Sequence, residues 1–211
     1  MIISHKHKFI FLHIPKTAGS SMAVYLSRFF GDDDIMMDAW NDALHHGIPY
    51  NKRVYKEALS QRGKLYLEEA LRKRMEDGKI FDRPVVDYAF RKKIAEHLGT
   101  DSMHATAGHL SRYVPEEWNS YFKFAFMRNP YSQAVSLYNW RVMQVSGRDH
   151  LISKEWVDQS EPVIPFREFL LRILDVTRPD PEGFVSVDNR FKYSGWNIVS
   201  IDNKIEVLFA P

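Results

Sequence analysis

The sequence predicts an α/β fold of three layers, with a small, mostly parallel central sheet flanked by helices. Two observations carry that expectation. The first is an apolar run of β-forming residues, Phe9-Ile10-Phe11-Leu12. A short polar stretch follows it, and then Met22, Tyr25, Leu26 and Phe29 stand at i, i+3, i+4 and i+7. That is a strand, a loop and a helix with one buried stripe. The second is the same order repeated further on. Phe122-Lys123-Phe124-Ala125-Phe126-Met127 runs into Arg128, and Asn129 and Pro130 suit the N-cap and first turn of a helix striped by Val135, Tyr138 and Val142. Two such units put both loops at the same end of a parallel sheet, where α/β proteins collect ligands.

The loop of the first unit reads His13-Ile14-Pro15-Lys16-Thr17-Ala18-Gly19-Ser20-Ser21. It carries one lysine, one glycine and three hydroxyls. Peptide N–H groups at a helix start are unpaired and partly positive, and a glycine lets the chain approach an anion closely. The stretch therefore reads as a phosphate cradle. It lacks the order G-x-x-x-x-G-K-[ST], because Lys16 precedes Gly19 and no glycine comes earlier. The plain alternative is a strand-to-helix turn capped by Ser20. In the second unit, Arg128 stands at a strand's end beside a helix start, where a bidentate donor suits a phosphate.

Together the two stretches resemble the cofactor motifs of sulfotransferases that use PAPS (3′-phosphoadenosine 5′-phosphosulfate). The wording is closest to the carbohydrate sulfotransferases, including the heparan and chondroitin branch. The resemblance implies a P-loop-like sulfotransferase fold, PAPS as donor and adenosine 3′,5′-bisphosphate as product. It implies that Lys16, Thr17, Ala18, Gly19, Ser20 and Ser21 hold the 5′-phosphosulfate, with Lys16 at the bridging oxygen. It also implies that Arg128 and, eight residues on, Ser136 hold the 3′-phosphate. Lysine and amide donors neutralise the developing charge, so no metal is expected.

Length and composition fit this reading. The 211 residues suit one domain, 1–211, and 45 % hydrophobic with 14 % aromatic content fits a globular chain rather than a disordered one. A formal charge of +2 argues against a strongly basic nucleic-acid binder while leaving room for a local basic pocket. With no cysteine there is no disulfide framework and no thiolate metal site. No apolar run approaches the ~20 residues of a membrane span. Residues 1–6 lead directly into the first strand without a signal peptide, which points to a cytoplasmic protein.

The remaining elements follow in order. The run Gly31-Asp32-Asp33-Asp34 reads as a solvated acidic turn, and residues 40–50, with His45, His46, Gly47 and Pro49, as a loop. Residues 54–77 read as helix in one or two pieces broken near Gly63, with a charged outer face. Residues 84–98 form a further helix, closed by Gly99 as C-cap. Residues 103–106 can form a short strand leading into Gly108-His109. That pair resembles the Gly-His supplying the acceptor-activating histidine in uronosyl 2-O-sulfotransferases. His109 is thus the candidate general base, with His104 its competitor.

Helix then spans residues 166–174, a loop that could act as a lid covers 177–183, and 205–209 forms a final strand. Residues 188–195 are polar, basic and aromatic, and loosely resemble a family segment near the nucleotide. His104, Arg112, Arg190 and Lys192 are the candidate acceptor-binding residues. Family members usually continue past the last strand, whereas this sequence stops at Ala210-Pro211, which leaves open whether the adenosine pocket is complete. The expected activity is sulfuryl transfer to a hydroxyl on a glycan or small molecule. A P-loop kinase or NTPase and a non-catalytic nucleotide-binding relative are the alternatives. Acceptor identity and oligomeric state are not legible.

Overall fold

The computed structural model describes residues 1–37, 39–76, 85–100, 104–146, 165–173 and 206–209. Its frame is a five-stranded sheet in the order β3-β1-β2-β4-β5, from β1 (Ile2–Ser4), β2 (Phe9–Leu12), β3 (Ile35–Met36), β4 (Phe122–Met127) and β5 (Glu206–Phe209). The expected parallel pairing of the two apolar runs is present, with Phe9 opposite Phe122 and Leu12 opposite Ala125. β5 continues it in parallel beside β4.

The sheet as a whole is mixed rather than mostly parallel. Ile2 and Ile3 form a strand of their own, which turns through residues 5–8 and pairs antiparallel with β2; β3 then pairs antiparallel with β1. Lys8 takes a left-handed φ of 55° to close that turn. The added strands lengthen the core, since Ile2, Ile3, Ile10, Phe11, Leu12, Ile35 and Met36 are all buried.

The helices among the described residues are α1 (Gly19–Ser27), α2 (Trp40–His45), α3 (Lys52–Ala58), α4 (Gln61–Glu76), α5 (Val85–Leu98), α6 (Ala107–Tyr113), α7 (Pro115–Ser120), α8 (Pro130–Ser146) and α9 (Phe166–Ile173). α5 packs on both α3 and α4, α1 on α2, and α8 on α9. The break between α3 and α4 falls at Leu59 and Ser60, just before Gly63. Ser60 accepts the Gly63 N–H at 3.1 Å, and a Cβ on Gly63 would lie 2.1 Å from the Glu57 carbonyl oxygen. Gly99 closes α5 with φ 78°.

Three expectations change. The segment beginning at Trp40 is helical over α2, because Trp40 is buried and stacks edge-on against Phe30 and Tyr50. Asp34 is not solvated. It is fully buried and accepts from the Ser4 hydroxyl at 2.8 Å and the Lys6 and Gly31 N–H groups at 3.0 and 2.9 Å. Residues 104–106 form no strand; they lead into Thr106, the N-cap of α6. The lid loop at 177–183, Arg190 and Lys192 lie outside the described residues.

Candidate functional site

The site grows from the end of β2. Lys16 and Ala18 both take φ 63°, a left-handed conformation that side chains disfavour. Left-handed turns of this kind can aim successive N–H groups at a common point, as in the nests that bind anions. α1 opens on that loop with Ala18 at the N-cap position and no side-chain cap, so Ser20 does not cap it. The first-turn N–H groups of α1 are thereby left for an external acceptor.

Side chains divide around the loop. The Thr17 hydroxyl turns inward, buried, and donates to the Ile14 carbonyl at 2.9 Å, so what residue 17 offers a ligand is its amide. Ala18, Ser20 and Ser21 are exposed, and Gly19 is buried. Gly19 sits directly against the His13 ring: a Cβ there would fall 1.8 Å from Cδ2 and 2.0 Å from Nε2. His13 is itself 8 % exposed, stacks on Phe11, and meets the His104 ring edge-on at a centroid distance of 4.7 Å. Burial first, and then the repulsion that a charged ring would meet from the N-terminal ammonium, from a protonated His104 and from Lys16, holds the His13 imidazole well below its usual range.

The second unit closes over the same loop. Asn129 caps α8, accepting from the Tyr131 and Ser132 N–H groups at 3.0 and 3.3 Å, as its sequence position implies. Gln133 donates to the Pro15 carbonyl at 2.8 Å, and Arg128 reaches the Lys16 carbonyl at a long 3.4 Å. The Lys16 ammonium lies over the Trp140 ring, 5.6 Å from its centroid. Gln133 and Trp140 stand seven apart, so the same face of α8 meets the loop. Half-buried Ser136 falls between them on that face. Gln133 from α8 and Arg128 just before it thus hold two successive loop carbonyls.

Lys16, Arg128 and Ser136 are thus brought to one place. Gln133, Trp140 and His13 join them without having been singled out in the sequence. Helical spacing of 133, 136 and 140 around the serine was the available signal; nothing in the sequence marks His13 as buried. His104 also belongs here, its Nδ1 2.9 Å from the His13 carbonyl oxygen. His109 occupies the third position of α6 and completes a capping box with Thr106. Arg112 is exposed on α6, and a Cβ on Gly108 would lie 3.5 Å from its guanidinium. Among the described residues no group of three or more metal-ligating side chains is assembled, and no helix is long and apolar enough to cross a membrane.

The described residues thus join a left-handed loop and an uncapped helix start after the central strand to a second strand–helix unit that bears Arg128. Compared with known families, residues 1–198 match the sulfotransferase family. The chain belongs to that family. No curated protein and no solved structure matches it.

Proposed function

We propose that this protein transfers a sulfuryl group from PAPS to an acceptor hydroxyl, with glycan hydroxyls as the leading acceptor class, on a three-layer P-loop-like scaffold. The observation that carries the reading is the nest at Lys16 and Ala18, with Arg128 held against the same loop. The residues fit the donor. A left-handed loop, an unoccluded helix start and a buried glycine suit a phosphosulfate, while a guanidinium beside them suits a second phosphate.

PAPS supplies the activated sulfuryl group and leaves as adenosine 3′,5′-bisphosphate. Lys16 neutralises charge at the bridging oxygen, and the loop amides donate to the oxygens around it. That is positioning and neutralisation, as in phosphoryl transfer. Lys16 lies over Trp140, within reach of the loop it belongs to, so little reorganisation is needed. Arg128 and Ser136 hold the 3′-phosphate. The imidazole of His109, or of its competitor His104, takes the acceptor proton.

The test is ligand stabilisation of the purified chain. Adenosine 3′,5′-bisphosphate raises the melting temperature, whereas adenosine 5′-monophosphate does so much less and ATP with Mg²⁺ does not. A preference for ATP with Mg²⁺ would restore the kinase alternative. Radiolabelled PAPS offered with a panel of glycans, small alcohols, lipids and tyrosine peptides then identifies the acceptor. Binding of the bisphosphate without transfer to any of them would leave a non-catalytic relative.

A further inference from the structure

We propose that His104, through its Nε2, takes the proton of the acceptor hydroxyl, and that His109 serves the fold; this rests on the sulfuryl-transfer reading above. The two imidazoles differ in tautomer, and the hydrogen bonds around them say how. The Nδ1 of His109 lies 3.2 Å from the Thr106 backbone nitrogen and 2.9 Å from the Thr106 hydroxyl. A backbone N–H can only donate, so Nδ1 must accept, and the ring proton sits on Nε2. His109 could gain a second proton only at Nδ1, by giving up the bond that caps α6. It is the acceptor half of a box whose other half is its own N–H on Thr106 Oγ1 at 3.3 Å.

His104 has the opposite arrangement. Its Nδ1 lies 2.9 Å from the His13 carbonyl oxygen, which can only accept. Nδ1 therefore carries the proton, and Nε2 holds the lone pair that a general base needs. Taking up a proton at Nε2 makes the Nδ1–H a charge-assisted donor and strengthens its bond to that carbonyl. The carbonyl thus orients the ring and supports the imidazolium.

Position agrees with tautomer. His13 is the first residue of the anion loop. Its ring lies edge-on to His104 at 4.7 Å and directly against Gly19, so His104 stands one ring away from the helix start that holds the anion. Buried His13 stays neutral and adds no second positive charge when His104 takes the proton. The step balances. The acceptor oxygen forms the new O–S bond, and its proton goes to His104 Nε2. The electron pair of the broken S–O bond stays on the 5′-phosphate oxygen of adenosine 3′,5′-bisphosphate.

The experiment compares the intact protein with His104→Gln and His109→Ala, by three readouts. Nitrogen-resolved NMR of the histidine rings reports the tautomers without any turnover. The expected result is Nδ1–H for His104 and Nε2–H for His109. Calorimetry with adenosine 3′,5′-bisphosphate gives an affinity that His104→Gln leaves within about threefold, since a base contributes to the transition state rather than to product binding. Turnover on the acceptor found above falls by ~10²–10⁴ in His104→Gln. His109→Ala lowers the melting temperature by a few degrees through the lost half of the capping box and lowers the rate per folded molecule by less than about tenfold. An Nε2–H tautomer at His104, or a rate loss confined to His109→Ala, overturns the proposal. A wild-type protein that prefers no bisphosphate and transfers nothing fails the parent reading, and this proposal with it.

Discussion

Gly19→Ala is the sharpest probe of how the anion loop is built. The added methyl would meet Cδ2, Nε2 and Cγ of His13 at 1.8, 2.0 and 2.7 Å, well inside contact distance. The ring cannot simply swing away, because it is 8 % exposed and lies between Phe11 and His104. Forcing a methyl into a filled site costs about 1–3 kcal/mol. Against this, alanine is the better helix former by up to ~1 kcal/mol, less at the first position of α1 than inside it. Overpacking wins, with a net loss of about 1–2 kcal/mol, or roughly 3–6 °C for a domain of this size. The loop should shift with His13, so affinity for adenosine 3′,5′-bisphosphate should fall as well. Urea unfolding and calorimetry measure the two effects. The decisive variant is the double one: in a His13→Ala background the ring is gone, and Gly19→Ala should then be neutral or stabilising. A Gly19→Ala protein with unchanged stability and affinity, or a penalty that persists without the ring, would refute the steric argument.

Lys16→Ala should lower turnover more than tenfold, a loss above ~1.4 kcal/mol in the transition state, while weakening the bisphosphate product less; single-turnover kinetics and calorimetry separate the two. Arg128→Ala should weaken adenosine 3′,5′-bisphosphate by on the order of 1.5–3 kcal/mol and adenosine 5′-monophosphate far less, with Ser136→Ala showing the same selectivity at smaller size. Equal losses for both nucleotides would move Arg128 to a purely structural place on the Lys16 carbonyl. Gln133→Ala removes a neutral bond to the Pro15 carbonyl, so a stability loss of about 0.5–1.5 kcal/mol with weaker product binding is expected from melting and calorimetry. The His13 pKa is lowered by folding from 6.5, so below that pH the unfolded chain binds a proton that the folded chain refuses. Its contribution is therefore fully present above about pH 6.5 and falls as the pH drops below it. His13→Gln should flatten that part of the urea-derived stability profile, and an unchanged slope would count against a neutral buried ring.

Much of the frame could be read locally. β2, β4, α1 and α8 announce themselves through apolar period and flanking polar residues, and Asn129 and Gly99 act as caps where their chemistry places them. What was missed depends on partners distant in sequence. Ile2 and Ile3 are too few to signal a strand until β2 and β3 lie beside them, and with them the sheet became mixed. Asp34 looks like any surface aspartate; only Ser4, Lys6 and Gly31 arriving around it make it structural. The start of α6 was hidden for a local reason. A capping box is expected to carry Glu or Gln at its third position, and here a histidine fills that place. The strand-to-helix loop was legible from the apolar run before it and the apolar stripe after it. Its left-handed turns at Lys16 and Ala18 were not, since neither residue favours that conformation and contacts from Arg128 and Gln133 hold the loop.

The central parallel pairing also governs how the site comes into being. Phe9 must find Phe122 before β2 and β4 exist as neighbours, and most of the helices among the described residues lie in the chain between them. Closing a long loop costs only about 0.6 kcal/mol more per doubling of its length, so the separation burdens folding speed more than final stability. The anion loop gains its Gln133 and Arg128 contacts only after that closure. An amino-terminal fragment would contain every residue of the loop and still lack the clasp that shapes it. Under the proposed function, ligand binding at this loop would be linked to global folding rather than to local ordering, and adenosine 3′,5′-bisphosphate would report on that long-range pairing.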